Sequence, residues 1–259
     1  GYYRLWREIE PKLKRRFVDW LPSDNDTDKS VVTEDQKRRE MELADVVLTP
    51  SSVARDSVMR YEKKRVEIAI YGVDSQSWEP PAAPRTHEKF RFLYAGHISI
   101  RKGVPLLLEA WKKSGLQSSE LRLAGIWCLS DVIRKRLPPN VVYLGPLSRE
   151  GLRDEMGLAN AFVFPSYFEG YGLVVTEAMA MGLPVICSDA TIGPDILDDT
   201  CGRIFRAGDE EALIALIRWF SSHPSDAEKM GSCARNQAQG ISWARYRQQV
   251  QSVIDSLVN

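Results

Sequence analysis

Residues 161–189 read AFVFPSYFEGYGLVVTEAMAMGLPVICSD, and this stretch decides the fold. AFVFP (161–165) is a short apolar run closed by proline. LVVTEAMAM (173–181) is helical in pattern, and PVICSD (184–189) is apolar and extended again. A strand, a helix and a second strand in this space make two parallel strands joined by a crossover helix.

Working outward, the same alternation continues on both sides. FRFLYAG (90–96), LRLAG (121–125), VVYLG (141–145) and CGRIF (201–205) read as strands. VPLLLEAWKKSG (104–115), DVIRKRL (131–137) and EGLRDEMGLA (150–159) read as helices between them, and three helices at about 209–222, 224–238 and 242–258 finish the chain. Upstream, ADVVLTP (44–50) and VEIAI (66–70) read as strands around a helix, SSVARDSVMRYE (51–62). YGVDSQSWEPPAAPRTHE (71–88) has three prolines and little periodicity, and is the best linker. The expectation is an α/β fold, a parallel sheet flanked by helices. By this pattern residues 76–240 resemble one complete nucleotide-binding α/β domain and residues 1–75 only the last part of a similar one, with residues 241–259 expected as a final helix packing back toward the latter. An incomplete parallel sheet leaves an open edge, and the abrupt opening at Gly1 leads us to expect that further chain precedes it.

Composition narrows the class. The 259 residues are 44% hydrophobic and 27% charged, as in a globular protein, with 35 basic and 35 acidic residues. Zero net charge argues against nucleic acid as the main partner, since phosphate backbones demand a basic excess. Cys128, Cys187, Cys201 and Cys233 have neither zinc-site nor disulfide-framework spacing, and a reducing cytoplasm suits them. His87, His97 and His223 are too dispersed for a metal site.

Two acids sit inside the apolar stretch, Glu169 and Glu177, eight positions apart. Glu177 falls on a helix that is apolar on nearly all sides, hence buried. An ionised carboxylate there costs several kcal/mol unless something satisfies it. Paired hydroxyls of a ribose would do so; a lysine or a loop cap would be the structural alternative. Glu169 lies in the glycine-rich turn Phe168-Glu169-Gly170-Tyr171-Gly172 that delivers the helix N-terminus. An acid beside those N–H groups points to sugar hydroxyls rather than phosphate, unless Glu169 caps its own helix. The premise of this reading is that neither acid is neutralised by a basic residue.

A second turn, within AGHISIRKGVPLLLEA (95–110), carries His97, Arg101 and Lys102 at the end of a strand and the start of a helix. Cations and helix N–H groups there can cradle a diphosphate, although GxxxxGK[ST] is absent and a lysine before a helix is commonplace. Both turns lie at the same edge of the expected sheet, where ligands of such sheets bind.

Together, PSYFEGYGLVVTEAMAMGLPVICSD, ADVVLTPSS, YGVD, RKGVPLLLEAW and ISW (241–243) resemble family-4 glycosyltransferases of the GT-B fold, which has two facing Rossmann-like domains. The resemblance runs from about residue 40 onward. It implies transfer of a sugar from a nucleotide-diphospho-sugar with retention of configuration, and no cofactor or metal. By that resemblance Glu169 holds sugar hydroxyls and Glu177 the ribose, while the backbone from Gly170 through Tyr171 and Gly172 to Leu173 faces sugar and phosphate. Lys102 neutralises the departing diphosphate, which makes Lys102 and Glu169 the catalytic candidates. His97 stands where the family usually has arginine, so either Arg101 substitutes for the missing cation or phosphate binding is weaker or differently arranged. The implied partners are a UDP-, GDP- or ADP-linked sugar and a glycan, lipid or small-molecule acceptor. Residues 1–259 alone are expected to bind donor and transfer poorly. A binding module holding a nucleotide or nucleotide sugar without transfer is the rival reading.

Two further signals compete. Asp24-Asn25-Asp26 spells DxD, a metal motif elsewhere, but within the polar LPSDNDTDKS it reads as a loop. Leu5, Ile9, Leu13, Phe17 and Leu21 share a helical face with Lys12, Lys14, Arg15 and Arg16 between them, and Pro11 interrupts the pattern. That is either a helix covering a neighbouring domain or a membrane-surface helix. The expected location is cytoplasmic, with peripheral membrane contact left open by this helix.

Overall fold

The computed structural model describes residues 2–22, 34–81 and 88–258. Asp24-Asn25-Asp26 and His87 lie outside them. The main body is a six-stranded sheet built from β3 (Phe90–Ala95), β4 (Ser119–Ala124), β5 (Val141–Gly145), β6 (Ala161–Phe164), β7 (Val185–Ser188) and β8 (Gly202–Phe205). Every neighbouring pair is parallel, in the order β5-β4-β3-β6-β7-β8. The chain winds outward from β3 to β5, returns to place β6 beside β3, then winds the other way. Strand order therefore reverses between β3 and β6, and their ends splay around a crevice. β6 and β7 are buried at every residue, as expected of strands covered on both faces.

The covering helices are α4 (Val104–Ser114), α6 (Arg149–Leu158), α7 (Leu173–Ala180), α9 (Glu210–Ser222) and α10 (Pro224–Gln239). α4 and α9 pack together on one side, and α7 and α10 pack together. The expected helix over 131–137 is a single turn, α5 (Asp131–Arg134), capped by the Ser130 hydroxyl. Its cap, Ser130, is also tied to Trp20 through the backbone, and no residue of α5 is buried. Without a buried apolar face there is little to hold a longer helix.

A second, two-stranded parallel sheet pairs β1 (Val46–Thr49) with β2 (Arg65–Ile68) around α3 (Ser52–Met59). α11 (Trp243–Val258) runs back to it: Gln249 accepts from the Ile70 N–H at 3.1 Å, and Arg65 donates to the Ser256 hydroxyl at 2.9 Å. The opening helix, α1 (Tyr2–Arg16), passes through Pro11 without a break, contrary to the sequence expectation. Tertiary packing outweighs the ~3 kcal/mol cost of an interior proline: Leu13 and the following Phe17 are buried, and Trp6 stacks on Phe168 at 6.0 Å. The apolar side of α1 is thus occupied by the chain itself. Among the described residues no helix is long and apolar enough to cross a membrane.

Candidate functional site

The RKG turn follows β3 and the FEGYG turn follows β6, so the two meet across the crevice where strand order reverses. Gly103 makes the first turn possible. Its φ is +73°, and a Cβ there would lie 2.0 Å from the Pro165 carbonyl oxygen. That contact locks the RKG turn against the end of β6. The Arg101 carbonyl completes the clasp, accepting from the Tyr167 N–H at 2.9 Å.

Gly172 does the same for the second turn. At φ +92° it caps α7, and a Cβ would meet the Phe164 ring at 3.1 Å. The α7 N-terminus, the positive end of the helix dipole, is thereby aimed into the crevice, with Gly172, Leu173 and Val174 in the cavity lining.

Between the turns lies a cavity of about 520 Å³ lined by His97, Arg101, Lys102, Glu169, Tyr171, Gly172, Leu173 and Glu177, with Tyr71, Leu152 and Phe164 in its wall. All the sequence-predicted site residues except Gly170 line it. Gly170 instead offers its carbonyl to the Ser51 hydroxyl at 2.6 Å.

The premise that both acids lack a basic partner fails at Glu169. Its carboxylate is ion-paired and hydrogen-bonded with the Lys102 ammonium, and each side chain is only 14% exposed. The two candidate catalytic residues, 67 positions apart in the chain, hold each other. Lys102 also sits 5.2 Å above the Phe164 ring. Burial lowers the Lys102 pKa, against the opposing pull of Glu169.

Glu177 differs. It is half-buried, and burial pushes its carboxyl above the ordinary carboxylate range, with only a counter-pull from the Arg149 charge. α7 is also less enclosed than expected, since Leu173 is 45% exposed at the cavity. A second cavity of about 480 Å³ shares Leu173 and Glu177 with the first and is lined by Asp74, Trp78, Arg149 and Trp243 among others.

His97 is exposed, and its carbonyl accepts from the Tyr94 phenol at 2.7 Å. Burial first, and Glu169 second, push the Tyr94 phenol far up, so it stays a proton donor. Arg101 is partly buried, and its Nη1 reaches the Phe168 carbonyl at 3.4 Å. Either side chain can therefore face an anion in the cavity, Arg101 with the firmer footing. Among the described residues no group of three His, Cys, Asp or Glu side chains could hold a metal ion.

Sequence reasoning missed three participants. Ser51 caps α3 by accepting from the Ala54 N–H and also grips the FEGYG turn. Asp195, in the short α8 (Gly193–Ile196), accepts from the Ser52 N–H at 2.8 Å. Tyr71, in the cavity wall, accepts through its carbonyl from the Tyr171 phenol at 2.5 Å. A serine at a helix start is a readable cap signal; its second bond, 119 residues away, has no local signature.

Comparison with known proteins gives one coherent answer. A family model described as "Glycosyl transferases group 1" matches residues 77–237. The sulfoquinovosyl transferase SQD2 of Arabidopsis thaliana is 27% identical over 217 residues, covering 77% of this chain and 42% of that protein. The O-antigen chain mannosyltransferase B of Escherichia coli is 28% identical over 225 residues, covering 78% and 58%. The chain thus spans about half the length of these relatives. Among solved structures, sucrose-phosphate synthase from Thermosynechococcus elongatus superposes with a TM-score of 0.73 at 22% identity, over 90% of this chain and 64% of that one. Anabaena HepE in complex with UDP-glucose gives 0.73 at 17% identity, over 87% and 68%. At these identities the structures speak to the fold, which is that of the GT-B glycosyltransferases.

Proposed function

The chain belongs to the glycosyl transferases group 1 family, and from that premise we propose that it forms the donor side of an enzyme moving a sugar, with retention of configuration, from a nucleoside-diphosphate donor to an acceptor. The observation that carries the reading is the meeting of Lys102, Glu169 and Glu177 in one cavity at the strand-order reversal. A relative fold crystallised with UDP-glucose supports a nucleotide sugar as the ligand class.

On this reading the α7 N-terminus and Lys102 take the diphosphate. When the bond from the anomeric carbon to the phosphate oxygen breaks, its electron pair passes to the diphosphate, which gains charge. A fixed ammonium and helix N–H groups stabilise that charge more than they stabilise the ground state. Glu169 accepts from sugar hydroxyls. Glu177 accepts from the ribose, which would end the uncompensated burial of its carboxylate. Arg101, more than His97, adds positive charge at the phosphates. These groups need no bound cofactor for their part.

Residues 76–240 act in this scheme as the donor-binding domain, residues 1–75 as part of a second domain, and residues 241–259 as the helix returning to it. Every assigned role concerns the donor, so residues 1–259 are expected to bind a UDP-, GDP- or ADP-linked sugar and to turn it over slowly. Calorimetry with each of the three nucleoside diphosphates and their glycosylated forms tests the reading. Glu177→Ala should weaken the bare and the glycosylated nucleotide alike. Equal affinity in wild type and variant would remove the ribose assignment.

A further inference from the structure

The Lys102–Glu169 pair, unanticipated in the sequence, has a consequence for the order in which ligands are accepted. It rests on the donor reading above. Both side chains are largely removed from water, and among the described residues each is the other's ion-pair partner. A diphosphate entering the cavity must draw on Lys102. It then leaves the Glu169 carboxylate deprived of its cation, inside the same cavity, facing a new anion. An acid left unpaired in a partly dehydrated site is costly, and repulsion from the phosphates adds to it. A sugar attached to the diphosphate changes the balance, because its hydroxyls donate to the carboxylate that the phosphates have stranded.

We propose that the Lys102–Glu169 pair makes this site selective for the loaded donor over the spent nucleoside diphosphate, with Glu169 as the specificity-determining residue. In the empty cavity the two charges satisfy each other. A loaded donor exchanges with that pair one for one: phosphate for Lys102, hydroxyls for Glu169. Once the sugar has left, the nucleoside diphosphate can satisfy only the lysine, and the re-forming ion pair competes it out. The same contact thus excludes spent nucleotide and hastens its release. An acid that only gripped the sugar would leave affinity for the bare diphosphate unchanged.

That difference is the test. Calorimetry on the full chain, with UDP, GDP and ADP beside UDP-glucose, GDP-mannose and ADP-glucose, compares wild type with Glu169→Gln. Removing the competing carboxylate should tighten bare diphosphate binding about tenfold, while the loaded-over-bare affinity ratio falls by at least as much. Glu169→Ala should move both quantities in the same direction, and thermal melting confirms that each variant is folded. Unchanged or weakened binding of the bare diphosphate in both variants would overturn the proposal. Failure of wild type to bind any of the six would overturn the donor reading itself, and this proposal with it.

Discussion

The Ser51 hydroxyl donates to the Gly170 carbonyl at 2.6 Å, tying the first turn of α3 to the turn that carries Glu169. The same hydroxyl accepts from the Ala54 N–H at 3.1 Å, so one buried side chain both starts a helix and fixes the rim of the cavity. Ser51→Ala should cost about 1–2 kcal/mol of stability, the range for a lost cap plus a lost buried hydrogen bond. Donor affinity should fall with it, because the α7 N-terminus loses an anchor. Urea unfolding and nucleotide titration of one preparation check both halves.

Glu177 should be a residue that the unliganded protein is more stable without. Burial raises its pKa on folding, so the folded state holds a proton that the unfolded state has released over the window between the ordinary and the raised values. Stability from this group therefore falls as pH rises through that window and stays low above it. Glu177→Gln should remove the fall and gain on the order of 1 kcal/mol at neutral pH, while weakening nucleotide binding about tenfold. Denaturation from about pH 4 to about pH 8 reads the first effect. A variant that lost stability across that range would contradict the burial argument.

Lys102 and Glu169 should couple strongly. Lys102→Met strands a carboxylate in a partly buried site and should cost about 1–3 kcal/mol. Adding Glu169→Gln should restore most of that loss, since no lone charge is left. Donor binding should be lost in Lys102→Met and stay lost in the double variant. Stability recovered without binding recovered is the signature, and a double-mutant cycle measures it.

Gly103→Ala should be among the most damaging single-methyl changes. The left-handed backbone and the Pro165 carbonyl at 2.0 Å from the added carbon leave nothing flexible to move. A loss of about 2 kcal/mol or more is expected, with the RKG turn displaced from β6. Gly115→Ala is the control: it shares a positive φ of +69° but meets nothing within 4 Å. It should cost about 1 kcal/mol.

Much of this was legible in the chain because the strands are short apolar runs and the glycines punctuate them. FRFLYAG and AFVFP each announce a buried strand; the turns after them already held Lys102 and Glu169, and the helix after the second held Glu177. What could not be read were relations between distant segments. Local pattern places Lys102 and Glu169 on two turns, but only the reversal of strand order brings those turns together. The Pro11 rule failed because Leu13 and Phe17 pack into a core that no local window can see. α2 (Glu34–Leu43) and α8 escaped notice for the opposite reason: one is too polar and the other too short to carry a periodic signal.

Tyr71 belongs to two structures at once. It walls the cavity, and its ring stacks on Trp243 at 6.0 Å and abuts Tyr246 at 5.6 Å. Val73 bonds through its backbone to Ile241 beside it. The segment leaving β2 for the large sheet and the segment joining α10 to α11 therefore meet at a single aromatic button, and that button is also a piece of the binding wall. Occupancy of the cavity is consequently wired to an indole, so that filling it can be followed as a change in tryptophan emission without any label.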